Sequence, residues 1–298
     1  MSASTAGLRP AVCYIGMFLS NVFFKRLLVY GTLASFLGAV LIAFVVYVIP
    51  KKDVPKSKTA TEAIVLSQPL TAHAWALFDT ASGEVIEGEQ VDTALPIASI
   101  TKLFTAFVVM HSPRKDEAFS IRESDVDTNG RAGKLIVGEI VTPYTLLFPL
   151  LIESSNDAGV AIARYLDREY VQSVNNLVTE EGLTATHIVD PSGLSADNVS
   201  TPRELARFFV TLKHTYPHTI DITRLRMYIG THSGYVNNNP ASALSSFRGG
   251  KHGYTDEAGR TFIGTFELHE GKEIGIVLLG SSDLLHDIAI LEKQGEVF

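Results

Sequence analysis

Residues 27–49, LLVYGTLASFLGAVLIAFVVYVI, form a run of 23 without a single charge. As a helix such a run spans the roughly 30 Å hydrocarbon core of a bilayer. Uninterrupted apolar runs of about 18 or more point to a membrane span rather than a buried core helix. The apolar core of a cleaved signal peptide is shorter, about 7–15 residues, and ends at a small-x-small site. Here the run ends in VIPKK, so an uncleaved signal anchor is expected. Arg9, Lys25 and Arg26 lie before it, and Lys51, Lys52, Lys56 and Lys58 after it. With basic residues on both sides, the positive-inside rule leaves the orientation open. The stretch 11–24, AVCYIGMFLSNVFF, is interrupted by Ser20 and Asn21 and makes a poor second span. Residues 51–63, KKDVPKSKTATEA, read as a polar tether. The expected organisation is an amino-terminal segment (1–26), a transmembrane helix (27–49), a linker (50–63) and one folded domain (64–298).

The folded part has ordinary globular composition but an uneven charge. Residues 1–58 hold 7 of the 25 Lys and Arg and 1 of the 32 Asp and Glu, which leaves 18 basic and 31 acidic residues for the remainder. An acidic body argues against a nucleic-acid partner, which needs a basic face. Cys13 is the only cysteine, so no internal disulfide forms.

Local patterns predict an α+β domain. Residues 72–88 read as a hairpin turning at Thr80-Ala81-Ser82-Gly83. In PIASITKLFTAFVVM, Ser99 is a plausible N-cap for a buried helix. Thr142-Pro143 starts a further helix, with Pro149 predicting a kink or early end. Ser154-Ser155 breaks the pattern and Asn156 is placed to cap the next helix. Thr201-Pro202-Arg203-Glu204 reads as a capping box. GRTFIGTFEL and KEIGIVLLG form a hairpin, followed by an amphipathic helix over LLHDIAILEKQ. Strands at both ends with helices between predict an antiparallel sheet joining the first and last segments.

Three short patterns carry chemistry. Ser99 and Lys102 are three apart and share a helix face. A lysine amine removes a serine proton only when free, which requires a lowered pKa; burial among Leu103, Phe104, Ala106 and Phe107 supplies part of it. By itself this spacing also fits a capped surface helix. Ser154 and Asn156 have S-x-N spacing in a break between helices, where both side chains can face one cleft or simply cap. Lys251-His252-Gly253 opens a strand-like segment, and glycine there lets a substrate backbone lie close.

S-x-x-K, S-x-N and K-x-G in this order resemble the penicillin-recognising serine enzymes. PIASITKLFTA, LLIESSNDAGVAIARY, DPSGLSADNVSTPRELARF and GGKHGYTDEAGRTFIGTF are similar to the D-alanyl-D-alanine carboxypeptidase family of low-molecular-weight penicillin-binding proteins, over roughly residues 70–285. The resemblance implies the β-lactamase/transpeptidase-like fold. It implies Ser99 as acylated nucleophile, Lys102 as general base and Ser154 as proton relay to the leaving amine. Asn156 would bind the substrate's peptide carbonyl, and Lys251 would attract the terminal carboxylate and orient Ser154. Backbone N–H groups of Ser99 and Tyr254 would form the oxyanion hole. The implied substrate is a peptidoglycan stem peptide and the implied covalent inhibitors are β-lactams, with no metal and no cofactor. The catalytic domain would then lie outside the cytoplasm. His214 and His218 are read as surface histidines.

Position 252 departs from the family, where threonine usually contacts the substrate carboxylate. His252 can donate from its ring and is bulkier, so it is expected to substitute for that contact, the alternatives being altered specificity and weak activity. Some members carry an additional β-rich domain and a terminal membrane-binding helix; here the anchor is expected at 27–49 instead. The rival readings are a D,D-endopeptidase, a serine β-lactamase, and a non-catalytic tethered peptidoglycan-binding domain. A β-lactamase would need a water-activating group, often a glutamate in an E-x-x-L-N stretch; DPSGLS occupies that region.

Overall fold

The computed structural model describes residues 69–127, 133–166 and 170–298. The expected transmembrane run and tether lie outside the described residues. Among the described residues, no helix is long and apolar enough to cross a membrane.

A five-stranded antiparallel sheet of order β2-β1-β11-β10-β9 forms the frame. Its strands are β1 (Ala74–Asp79), β2 (Val85–Glu89), β9 (Phe247–Thr255), β10 (Gly259–Glu267) and β11 (Glu273–Ser281). The first strand pairs with the last, Ala76 opposite Val277, as the end-to-end pattern predicts. Minor pairs are β3 (Leu95–Pro96) with β6 (Val199–Ser200), β4 (Phe119–Ser120) with β5 (Ile140–Val141), and β7 (Met227–Ile229) with β8 (Gly234–Val236).

Side-chain alternation divides the sheet between two cores. Ala74, Ala76, Phe78, Ile263, Val277 and Leu279 face the larger core. Trp75, Leu77, Phe262, Phe266, Ile276 and Leu278 face the smaller one, with Leu284, Ile288 and Leu291 of the carboxy-terminal helix. Because both faces are covered, β11 reads as a near-continuous apolar run, and β10 is buried without a break from Thr261 to Phe266.

The helices are α1 (Thr101–His111), α2 (Glu123–Val126), α3 (Pro143–Ile152), α4 (Asn156–Leu166), α5 (Tyr170–Glu180), α6 (Pro202–Thr215), α7 (Pro217–Arg224) and α8 (Leu284–Gly295). Helix α1 is buried from Thr101 to Val109, with no exposed face over that span, and so sits within the larger core. Thr142 caps α3 by accepting from Thr145 N at 3.1 Å. Helix α3 passes through Pro149 and ends at Ile152, three residues further on, where the Pro149 carbonyl accepts from Ser155 N at 3.0 Å.

Three capping expectations are corrected. Ser99 is not an N-cap: it lies within a 3₁₀ turn, Ala98–Ile100, ahead of α1, and its hydroxyl is engaged by Lys102. Ser155 rather than Asn156 caps α4, accepting from Ala158 N at 3.2 Å, because the Asn156 side chain is committed to Lys102. Thr201 caps α6 through Glu204 N, but the Glu204 carboxylate turns to Ala185 N and Thr186 instead of closing the box.

Candidate active site

The site begins with a bend. Ala98 has φ +46, unusual for a residue with a side chain, and it turns Ser99 away from the strand before α1 starts. Two glycines allow the bend to be packed. A Cβ on Gly193 would lie 1.9 Å from the Ala98 carbonyl oxygen, and one on Gly253 would lie 2.5 Å from Ser99 N. Thr261 of β10 holds the same segment, donating to the Ile97 carbonyl at 2.9 Å.

Three residues on, Lys102 is fully buried. Its Nζ lies 2.9 Å from Ser99 Oγ, 2.9 Å from Asn156 Oδ1 and 2.6 Å from the Ser192 carbonyl. Burial lowers its pKa to about 7, against an opposing pull from the Asp190 carboxylate. The partners suit a free amine. Asn156 Oδ1 and the Ser192 carbonyl are acceptors only, and they take its two hydrogens. As a free amine it would turn its lone pair to the one partner able to donate, the Ser99 hydroxyl. That is the geometry of a serine about to lose its proton to an adjacent base.

The Ser192 carbonyl was not foreseen as a site group. Asp190 shapes the turn that presents it, accepting from the backbone N–H groups of Ser192 (2.7 Å), Gly193 (2.8 Å) and Ser195 (2.8 Å). Burial alone would raise the Asp190 carboxyl, but these hydrogen bonds hold it below its ordinary value. Thr105, one turn along α1 from Lys102, donates to the Pro191 carbonyl at 2.6 Å and fixes the turn against the helix. The signal in sequence was Asp-Pro-Ser-Gly, a turn signature.

Ser154 sits between α3 and α4 with φ +65, a second strained non-glycine residue. It shares a cleft of about 500 Å³ with Ser99, Asn156, Asn238, His252, Gly253 and Tyr254. The rim adds Gly193 and Leu194 on one side and Thr255, Asp256 and Glu257 on the other. Strand β9 is the edge of the sheet and supplies this wall. His252 is half-buried in it, and Tyr254 is exposed with its hydroxyl donating to Asp256. Lys251 is 1% exposed; its ammonium donates to the His252 carbonyl at 2.6 Å and acts from within the wall. Seven of the eight expected site residues thus line one cleft or adjoin Ser99 directly, and the eighth, Lys251, is buried within its wall. His214 and His218 are exposed and lie on the surface of α6 and α7.

A buried lysine 2.9 Å from a serine hydroxyl, beside a serine–asparagine turn and an edge strand, is an arrangement that suits a serine nucleophile with a lysine base. Comparison narrows the class. The family model for D-alanyl-D-alanine carboxypeptidase matches residues 58–282. Among curated proteins, a D-alanyl-D-alanine endopeptidase of Pseudomonas aeruginosa is 33% identical over 51% of this chain and 50% of its own length. One of Escherichia coli is 30% identical over 67% of this chain and 63% of its own length. A solved D-alanyl-D-alanine carboxypeptidase of Mycobacterium tuberculosis superposes with TM-score 0.70 and 25% identity, covering 78% of this chain and 94% of its own. Penicillin-binding protein D2 of Listeria monocytogenes, in its ampicillin-bound form, gives 0.68 and 28%, covering 77% and 98%. The chain belongs to the D-alanyl-D-alanine carboxypeptidase family of serine peptidases.

Proposed function

We propose that this protein is a serine D-alanyl-D-alanine carboxypeptidase acting on peptidoglycan stem peptides through an acyl-enzyme on Ser99. The observation that carries the reading is the buried Lys102 amine, 2.9 Å from Ser99 Oγ and held in place by Asn156 Oδ1 and the Ser192 carbonyl. In this reading Lys102 takes the Ser99 proton as the hydroxyl oxygen attacks the D-Ala–D-Ala carbonyl. Backbone N–H groups of Ser99 and Tyr254 receive the developing oxyanion. Ser154 delivers a proton to the departing D-Ala amine, Asn156 holds the substrate's peptide carbonyl, and Lys251 with His252 draws in the terminal carboxylate. Water then hydrolyses the acyl-enzyme. Residues 27–49 anchor the domain outside the cytoplasm, where this substrate is found.

Two observations weigh on the alternatives. The Asp190 carboxylate is committed to backbone N–H groups and to Asn198, so the Asp-Pro-Ser-Gly turn presents a carbonyl to the site, not a carboxylate to activate water. This favours slow turnover of a β-lactam over rapid hydrolysis. The endopeptidase names of two relatives support a second reading, cleavage of D-Ala cross-links. Labelling with a fluorescent penicillin, wild type against Ser99→Ala, tests the acyl-enzyme; absence of Ser99-dependent label favours a non-catalytic domain. Release of D-Ala from a free pentapeptide, measured beside cleavage of a cross-linked dimer, separates the two peptidase readings.

A further inference from the structure

Three consecutive asparagines, Asn237-Asn238-Asn239, precede β9 and fasten three different elements. Asn237 Nδ2 donates to the carbonyls of Thr223 and Leu225, both at 2.8 Å, at the end of α7. Asn238 grips the turn that carries Ser154. Its backbone N–H donates to the Ile152 carbonyl at 3.2 Å, and its Nδ2 to the Glu153 carbonyl at 2.7 Å. Asn239 Nδ2 donates to the Gly250 carbonyl at 3.2 Å, one residue before Lys251. Gly250 is held from its other side as well: its N–H donates to Thr223 Oγ1 at 2.9 Å. The triplet is internally braced, because Asn239 N donates to Asn237 Oδ1 at 2.9 Å.

We propose that this triplet is a jig that sets the spacing between the Ser154 turn and the Lys251 strand, with Asn238 a positioning residue for Ser154. The physical need is visible in the backbone. Ser154 is held at φ +65, and a strained residue keeps such a conformation only where its surroundings over-determine it. Asn238 supplies two hydrogen bonds to the two residues immediately before it. Gly250 (φ +153) is likewise fixed at both its N–H and its carbonyl. The two walls of the cleft belong to segments nearly a hundred residues apart, and neighbouring residues of one short loop hold both. Catalytic groups misplaced by about 1 Å lose on the order of a hundredfold in rate, so such a loop is part of the machinery although none of its side chains reacts.

The inference rests on the acyl-enzyme reading above, and its test has an arm that does not. In the activity arm, the rate of Ser99 acylation by a fluorescent penicillin is measured in a cycle of Asn238→Asp and Ser154→Ala. The aspartate keeps the shape of the side chain but removes the donor to the Glu153 carbonyl. Asn238→Asp is expected to slow acylation about 10- to 100-fold in the wild-type background and less than about twofold once Ser154 is alanine. Equal losses in both backgrounds would overturn the role, since a generally structural residue costs the same with or without Ser154. In the second arm, amide hydrogen exchange is followed over residues 152–156 and 249–253. Asn238→Asp is expected to raise exchange in the first segment and Asn239→Asp in the second; unchanged exchange in both sinks the jig whether or not the protein acylates. If Asn238→Asp does not fold, Asn238→Ser serves in both arms. Wild-type protein that takes no Ser99-dependent label, yet shows the exchange changes, refutes the enzymatic reading and leaves the jig standing.

Discussion

Lys102 concentrates the chemistry of the molecule in one amine. Its pKa near 7 places the change from ammonium to base inside the working range of the protein. Acylation of Ser99 is therefore expected to rise with pH through about 7 and to level off above it. A rate–pH profile with fluorescent penicillin checks this; a profile flat from pH 5 to 9 would contradict it. Lys102→Met should lower acylation by about 10²–10⁴-fold, the usual contribution of a positioned base. The same depressed pKa sets a sign on stability. The unfolded lysine, with its ordinary value of 10.5, keeps a proton that the folded one has released, so this group makes stability rise with pH between about 7 and 10.5. His252 poses a separate question at the same scale. It is half-buried in the cleft wall, at the position where the resemblance read from the sequence implies threonine. His252→Thr is expected to retain or increase turnover of a D-Ala–D-Ala peptide; abolished turnover would assign the imidazole a role of its own.

The 3₁₀ turn before α1 shows how the elements are made to meet. Gly193 (φ +84) packs against Ala98 so closely that a methyl group would sit 1.9 Å from a backbone oxygen, whereas Gly138 (φ +87) has open space around it. Both need a left-handed backbone, but only one is also a packing contact. Gly193→Ala is expected to cost about 2–4 kcal/mol and to weaken Ser99 acylation, while Gly138→Ala costs about 1 kcal/mol and leaves acylation unchanged. Urea unfolding with parallel penicillin labelling separates the two. Elements of this kind were unequally legible. Helix α3 and the β10–β11 hairpin stood out because proline, threonine and apolar runs act locally. The cap assignment to Ser99 went astray because a 3₁₀ turn precedes the helix, and that to Asn156 because Lys102, 54 residues away, engages its side chain. The Ser192 carbonyl and the asparagine triplet act through backbone groups or bind backbone groups far away in sequence, and a one-dimensional pattern does not display such pairings. Ser99, Lys102, Ser154 and Asn156 were legible because their spacing is itself the chemistry.

Taken whole, the described domain is a sheet whose middle strand comes last. Strand β11 lies between β1 and β10, so it joins the amino-terminal hairpin to the wall that carries Lys251. A chain ending before Glu273 is expected to show neither cooperative unfolding nor Ser99-dependent label, and circular dichroism with penicillin labelling checks both. The acidic balance of residues 59–298, 18 basic against 31 acidic, leaves the cleft's cationic groups as local exceptions in a negative body. The β1–β11 pairing also imposes an order of events on biosynthesis. Ser99 is made well before Glu273–Ser281, the strand that completes the sheet around it. A molecule that lacks β11 therefore carries Ser99 without an assembled site, and penicillin labelling is expected to act as a proofreader's mark that only copies with a closed sheet receive.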